Sequence, residues 1–496
     1  MWKRHYSNIL NCNNDLSKKD YVLKHLKNVG ENYYFNVEDV RQSIKSLKLG
    51  KSAGLDALFA EHLVCAADRL IVLLSTLFTM MLQHSFIPSD LMNTVIVPIL
   101  KDKKGSISDK ENYRPIAVTS VVSKVVEAII LKRSGDKLDT AHNQFGFKPS
   151  HGTEMCVFAL KQVIEYYKTN NSPVYVCYLD ASKAFDRINH WTLFAKLIDR
   201  KVNISVIRFL LFWYEHQMFC IRWGRTLSDY FTASNGVRQG GVMSPILFNV
   251  YMDDLSTWLN NSDIGCIMND KPINHLMYAD DTCILAPSAT ALQKLLSICS
   301  MYARDNSILF NAKKTKCMCF KPGKKSKLYI PQVTLNKEPL KWVSDCKYLG
   351  VSIEDSGKDN LDIKRHVRSM YARGNLLINR FKHCTDDVKT RLFQSYCSSL
   401  YGGMLWCKYT KANYKKAKVA YNDIYRGLFN VERGVSMSMI YMFSGIDAFD
   451  VIVRKYVFSF QVRLFRSSNI IISTIVTSEF FPTSKLAQEW NEKLFM

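Results

Sequence analysis

The sequence predicts a fold of mixed helices and strands, divided among several subdomains. Three observations carry this expectation. The chain has 496 residues, 47% of them hydrophobic, more apolar material than a single core usually encloses. Short apolar runs, VYVCYL at 174–179 and LMNTVIVPIL at 91–100, have strand length. Longer stretches repeat their apolar residues at helical spacing, and beyond Gly350 these become studded with Arg and Lys.

Taken in order, residues 1–47 read as a polar helical extension. LGKSAGLD at 49–56 is punctuated by glycines and reads as a loop. A helical region follows to about Gln83; its apolar stretch 70–82 is too short to span a bilayer and contains Ser75, Thr76 and Thr79, so it reads as a buried helix. The run 91–100, the basic turn 101–105 and the stretch 112–120 form a basic hairpin. Thr153 is placed to cap a helix with Val157, Leu160, Val163, Ile164 and Tyr167 on one face, ending before Pro173. The continuous apolar run 174–179 marks a strand buried on both faces that delivers Asp180 at its C-terminal end. SNGVRQGGVMSP at 234–245 combines glycines and a proline that let backbone approach a ligand closely before a helix begins. LMYADDTCIL at 276–285 reads as a hairpin with Asp280 and Asp281 at its tip. Basic helices are expected from 363 to about 381 and from 387 to about 401, with soft boundaries near 356–362 and 444. The resulting division is an N-terminal extension (1–47), a main region (48–355), a helical region (356–444) and a C-terminal region of unassigned role (445–496).

Charge narrows the partner class. Lys and Arg number 67 against 44 Asp and Glu, a formal charge of +23, which favours a polyanion over a neutral metabolite. Nucleic acid leads and an anionic membrane surface comes second. No transmembrane segment is expected, and MWKRHYSNILN lacks the apolar core and cleavage site of a secretory signal, so an intracellular protein is expected. The fourteen cysteines are scattered through apolar segments, and Cys317 and Cys319 stand too close for a zinc hairpin, so reduced structural thiols and no zinc are expected.

Asp280 and Asp281 pose the sharpest question. A chain that only needed to turn would do better with Asn-Gly or Asp-Gly than with two carboxylates that repel each other and resist desolvation. One answer is an ordinary solvated turn. The other is a divalent cation shared with a third carboxylate, for which Asp180 is the obvious partner. Oxygen ligands without His or Cys suit Mg²⁺ or Mn²⁺, and two such ions about 3.5–4 Å apart can serve phosphoryl transfer.

The stretches NYRPIAVTS, HNQFGFKPSHGT, VCYLDASKAFDRINH, NGVRQGGVMSPILFNVYMDDL, HLMYADDTCILA, NAKKTKCMCF and KYLGVSI occur in the order and character of reverse transcriptases of non-LTR (LINE-type) retrotransposons. The resemblance covers about 47–353, and extends more weakly through SSLYGGMLW to Trp406. It implies an α+β right-hand polymerase: an antiparallel palm sheet carrying the acids, basic fingers before it and a helical thumb-like region after it. It implies an RNA-directed DNA polymerase that extends a DNA primer on an RNA template with dNTPs and two Mg²⁺ or Mn²⁺ ions, nuclear when acting on genomic DNA. Oligomeric state is left open.

By the same resemblance Asp180, Asp280 and Asp281, the last two in Tyr278-Ala-Asp-Asp281, are similar to the family's metal-binding acids. Phe185 falls where an aromatic lies beneath the sugar and would clash with a 2′-hydroxyl; an ordinary core aromatic is the other reading. Gln239 and Gly240 resemble the pair that packs against the incoming nucleotide, Arg114 the fingers arginine on the triphosphate, with Lys101 assisting as a point charge. Lys314 resembles the lysine that protonates the leaving pyrophosphate, although Lys313, Lys314 and Lys316 leave the register open. Tyr348, Leu349 and Gly350 resemble a primer-grip hairpin, or are a hairpin with no ligand. Asp186, Asp253 and Asp254 are read as structural or solvent-facing.

The resemblance lacks an endonuclease domain on either side and a terminal Cys/His knuckle. MWKRHYSNILN resembles the linker that follows an upstream nuclease, so a fragment, a truncated element copy or a partial gene model is expected. The alternative function is a catalytically silent, retroelement-derived nucleic-acid-binding remnant. A metal-dependent nuclease would leave Gln239 and Phe185 without roles, and an RNA-dependent RNA polymerase would place Gly where this chain has Ala279.

Overall fold

The computed structural model describes residues 1–12, 15–27, 33–323 and 329–495. The expected extension 1–47 and C-terminal region 445–496 are therefore described except at 13–14, 28–32 and Met496. The chain forms two compact units that interleave in sequence, 1–147 with 181–258 and 299–310, and 148–180 with 259–298 and 311–496. The linear divisions at 48, 356 and 445 do not coincide with this partition, because each unit is assembled from distant segments.

In the first unit, Thr94–Leu100 pairs antiparallel with Tyr113–Val118 and parallel with Met218–Trp223. The expected basic hairpin is thus present, with a long connection closed by a 3₁₀ turn at Lys110–Asn112. Its strand starts at Thr94, not at 91, because Pro88 leads into a helical turn at Ser89–Met92. The polar extension forms helices at Trp2–Ile9, Lys19–Leu26 and Val37–Lys45. Tyr6 and Leu10 join Ile96, Phe219, Ile221 and Phe231 in one apolar cluster, so the first helix is part of this unit's core. The helix Asp68–Gln83 buries one face through Ile71, Leu74, Phe78 and Met81, while Val72, Leu73 and Met80 are exposed. It is amphipathic, not buried all round as expected. Among the described residues no helix is long and apolar enough to cross a membrane.

The second unit is built on a five-stranded sheet ordered Lys341–Trp342, Lys316–Phe320, Val174–Leu179, Asp281–Ala286, His275–Tyr278. Three of the four pairings are antiparallel, and the pairing of Lys316–Phe320 with the edge strand Lys341–Trp342 is parallel. Val174–Leu179 is buried along nearly its whole length, which explains its unbroken apolar run. The helix Thr153–Thr169 has Gly152 at its N-cap, so Thr153 is its first helical residue and not the cap. The basic helices run Asn360–Phe381 and Asp386–Cys397, and further helices continue to Phe495. All fourteen cysteines are free thiols, ten of them buried.

Candidate active site

The acids sit where one strand ends and a hairpin turns. Asp180 follows Leu179, and its backbone is held from both sides: its carbonyl accepts from the Asn311 N–H (2.8 Å) and its N–H donates to Thr315 Oγ1 (3.3 Å). The strands His275–Tyr278 and Asp281–Ala286 are joined by the two-residue turn Ala279-Asp280, with Asp281 paired to Tyr278. Ala279 adopts φ +56°, a left-handed conformation unfavourable for a residue with a Cβ. Thr282 pairs with Leu179, so Asp281 and Asp180 each lie one residue beyond that pair, at the same end of the ladder.

Their charges interact. Desolvation first, then the charges of Asp280 and Asp180, push the Asp281 carboxyl up to about 6. Asp180 and Asp281 line a cleft of about 280 Å³ together with Lys314, Lys316, Tyr348, Leu349 and Gly350. Of the three candidate lysines, Lys314 and Lys316 line this cleft. Cys346 also lines it, but burial pushes its thiol up to about 11, which keeps it protonated at neutral pH. Tyr348 and Val351 close a hairpin through Leu349 (φ +43°) and Gly350 (φ +82°), both left-handed, the geometry of a type I′ turn. The Leu349 carbonyl accepts from the Tyr401 hydroxyl (2.7 Å), and the Tyr348 hydroxyl lies 3.4 Å from the Cys156 thiol.

Among the described residues no three His, Cys, Asp or Glu side chains are already gathered tightly enough to cage an ion. The donor set nevertheless fits a hard divalent cation: carboxylates at one ladder end whose mutual repulsion a cation would relieve.

The first unit holds the remaining candidates. Phe185 is half-buried; it stacks on Phe248 with centroids 4.4 Å apart and planes 5° apart, and meets Phe147 edge-on. Gln239 Nε2 donates to Asp186 Oδ1 (2.8 Å), and the Gln239 carbonyl accepts from the Ala117 N–H (2.7 Å). Gly240 has φ +128°, and a Cβ there would stand 2.5 Å from the Ala117 carbonyl oxygen, so glycine is required by both conformation and space. Arg114 is exposed on the strand Tyr113–Val118. Lys101 Nζ donates to the Glu111 carbonyl (2.8 Å) and keeps its charge.

Two acids were undervalued or missed in the sequence. Asp186 is not solvent-facing: it is 4% exposed and bonded to Gln239. Glu127 is 1% exposed, pairs with Arg238, and accepts from the N–H groups of Val242 (2.5 Å) and Met243 (3.1 Å). A lone acid inside VVEAII, on an otherwise apolar helix face, was the available signal for it. Asp253 and Asp254 are structural, paired with Arg200 and Lys196.

The geometry is that of an acid-tipped hairpin beside a buried strand with a terminal aspartate. Residues 101–353, just over half of the chain, match the family described as "Reverse transcriptase (RNA-dependent DNA polymerase)". The chain belongs to this family, and it is similar to proteins encoded by mobile elements. It is 26% identical over 451 residues to the probable RNA-directed DNA polymerase from transposon BS of Drosophila melanogaster, covering 88% of this chain and 49% of that protein. It is 24% identical to the RNA-directed DNA polymerase from mobile element jockey of the same species, covering 77% and 42%. To the Pol polyprotein from retrotransposable element R2 of Nasonia vitripennis it is 27% identical, covering 62% and 32%. The chain thus spans half or less of the length of these curated relatives. Apo telomerase from Candida tropicalis matches at 13% identity over 91% of this chain and 76% of its own, with a TM-score of 0.42, too low to bear on the assignment.

Proposed function

We propose that this chain extends a DNA primer on an RNA template by nucleotidyl transfer from dNTPs. The observation that carries the reading is the convergence of Asp180 and Asp281 on one ladder end, with Asp280 beside them, in a chain of the reverse transcriptase family. Asp180, Asp280 and Asp281 would hold Mg²⁺ or Mn²⁺. When bound, the ions supply positive charge to the attacking 3′-hydroxyl and to the departing pyrophosphate. The protein's own part is positioning. Lys314 or Lys316, both on the cleft, hands a proton to the leaving pyrophosphate. Phe185, fixed by its stack on Phe248, presents a rigid edge that excludes a 2′-hydroxyl. Gln239 and Gly240 offer side chain and close backbone to the nucleotide, and Arg114 a guanidinium to its phosphates. The +23 charge would hold template and product through phosphate contacts, with affinity that falls as salt rises.

The test is extension of a labelled DNA primer on an RNA template with Mg²⁺ or Mn²⁺. Template-directed product is expected, dependent on dNTPs and lost in Asp280→Asn. Folded protein that binds RNA with ordinary salt dependence but makes no product would instead be the silent remnant, and release of labelled nucleotide without dNTPs would indicate a nuclease.

A further inference from the structure

The turn that carries Asp186 and the loop that carries Gln239 are zipped together. Val237 N–H donates to the Phe185 carbonyl (2.9 Å) and Gly236 N–H to the Ile188 carbonyl (2.8 Å), while Asn189 and Asn235 form a bridge one step further. Gly236 (φ +86°) has no room for a side chain, since a Cβ would lie 2.9 Å from the Asp186 carbonyl oxygen. On its other side the loop is gripped by Glu127, whose carboxylate takes Arg238 with one oxygen and the Val242 and Met243 N–H groups with the other. Two buried carboxylates from separate segments therefore hold the peptide that contains Gln239 and Gly240.

They hold it differently. Glu127 neutralises a buried cation and caps backbone, which is what a structural acid does. Asp186 faces a neutral amide, an expensive arrangement for a side chain 4% exposed. Desolvation accordingly pushes its carboxyl up to about 6, against the opposing pull of the Gln239 bond and of Lys183, Lys101 and Arg187. A residue needed only to fill this space would be apolar. What an ionised carboxylate adds is direction: it can only accept, so the Gln239 amide must turn its NH₂ inward and leave Oε1 as the outward group.

We propose that Asp186 is a positioning residue that fixes the orientation of the Gln239 amide, presenting a preset acceptor to a hydroxyl donor on the incoming nucleotide. This rests on the functional reading given above. Asn at 186 keeps the volume and one acceptor but can pair with Gln239 in either amide orientation, so it separates direction from packing.

The experiment measures retention of the next complementary dNTP by the full chain bound to a dideoxy-terminated DNA primer on an RNA template, so no chemistry can follow. Asp186→Asn is expected to need about five- to tenfold more dNTP than the wild type, the size of one lost hydrogen-bond preference, with unchanged affinity for primer–template. Gln239→Leu completes a cycle: if Asp186 acts through Gln239, Asp186→Asn adds nothing in the Gln239→Leu background, a comparison that holds even where Asp186→Asn lowers thermal stability. Equal dNTP demand in wild type and Asp186→Asn, or additive effects in the cycle, overturns the positioning role alone. A wild-type chain that neither extends a primer nor retains a nucleotide overturns the functional reading, and this inference with it.

Discussion

Asp180 and Asp281 close the same end of one antiparallel ladder, each a single residue beyond the Leu179–Thr282 pair. Strand register alone therefore brings together two carboxylates that are a hundred residues apart in sequence. The hairpin turn adds Asp280, and the Asp281 carboxyl responds by rising to about 6. The repulsion and the left-handed Ala279 together make this turn locally unfavourable.

That instability has a pH signature. In the unfolded chain Asp281 would ionise near the usual carboxylate value of about 3.9, whereas the folded protein holds its proton up to about 6. Raised pKa means that ionisation favours unfolding, so the Asp281 contribution to stability is lost as pH climbs from about 4 to about 6. Asp281→Asn is expected to raise the melting temperature at pH 7.5 and to leave it nearly unchanged at pH 4. The side chain reaches solvent, which limits the gain to about 1 kcal/mol or less. Adding Mg²⁺ at pH 7.5 should stabilise the wild type more than the variant, as read by thermal melts with and without the ion.

Phe185→Val should admit ribonucleotides. The ring is held flat against Phe248, so its edge cannot swing away from a 2′-hydroxyl, and removing it deletes the clash. Competition between rNTP and dNTP in primer extension is expected to shift by about tenfold or more toward rNTP. Unaltered sugar selectivity would reduce Phe185 to a packing residue.

Glu127→Gln should unfold the protein more easily than any surface change. It leaves Arg238 buried without its counter-charge and strips the strongest acceptor from the Val242 and Met243 N–H groups, a loss of about 3–5 kcal/mol. Replacing both Glu127 and Arg238 by apolar residues of similar volume should recover much of that loss, because the uncompensated charge is then gone. Urea denaturation of the single and double variants checks the contrast.

Gly240→Ala combines a left-handed backbone with a Cβ 2.5 Å from a main-chain oxygen, so the loop or the strand bearing Ala117 has to move. A destabilisation of about 1–3 kcal/mol is expected, together with a raised KM for dNTP. Wild-type stability and KM in this variant would mean that the loop is free to reshape.

Much of this was legible in the sequence, for physical reasons. The run VYVCYL betrayed a doubly buried strand because its side chains are apolar along the whole length, and ADD stood out because a chain that only needed to turn does better with Asn-Gly or Asp-Gly than with two acids. Helix ends and strand starts slipped by a few residues where local chemistry was subtle, as at Pro88 and Gly152. The roles of Asp186 and Glu127 were hidden because an acid shows its type in a sequence and not its burial. Nor could spacing reveal that Lys316 reaches the cleft beside Lys314, or that Lys101 is engaged by the Glu111 carbonyl, since both depend on which way a side chain points.

The measurement that bears most directly on the central claim is primer extension on an RNA template with Mg²⁺, comparing the wild type with Asp180→Asn and Asp281→Asn variants verified to be folded. Robust product from the wild type, with extension reduced by orders of magnitude in each variant alone, is the predicted result. Undiminished extension in either variant would contradict the account.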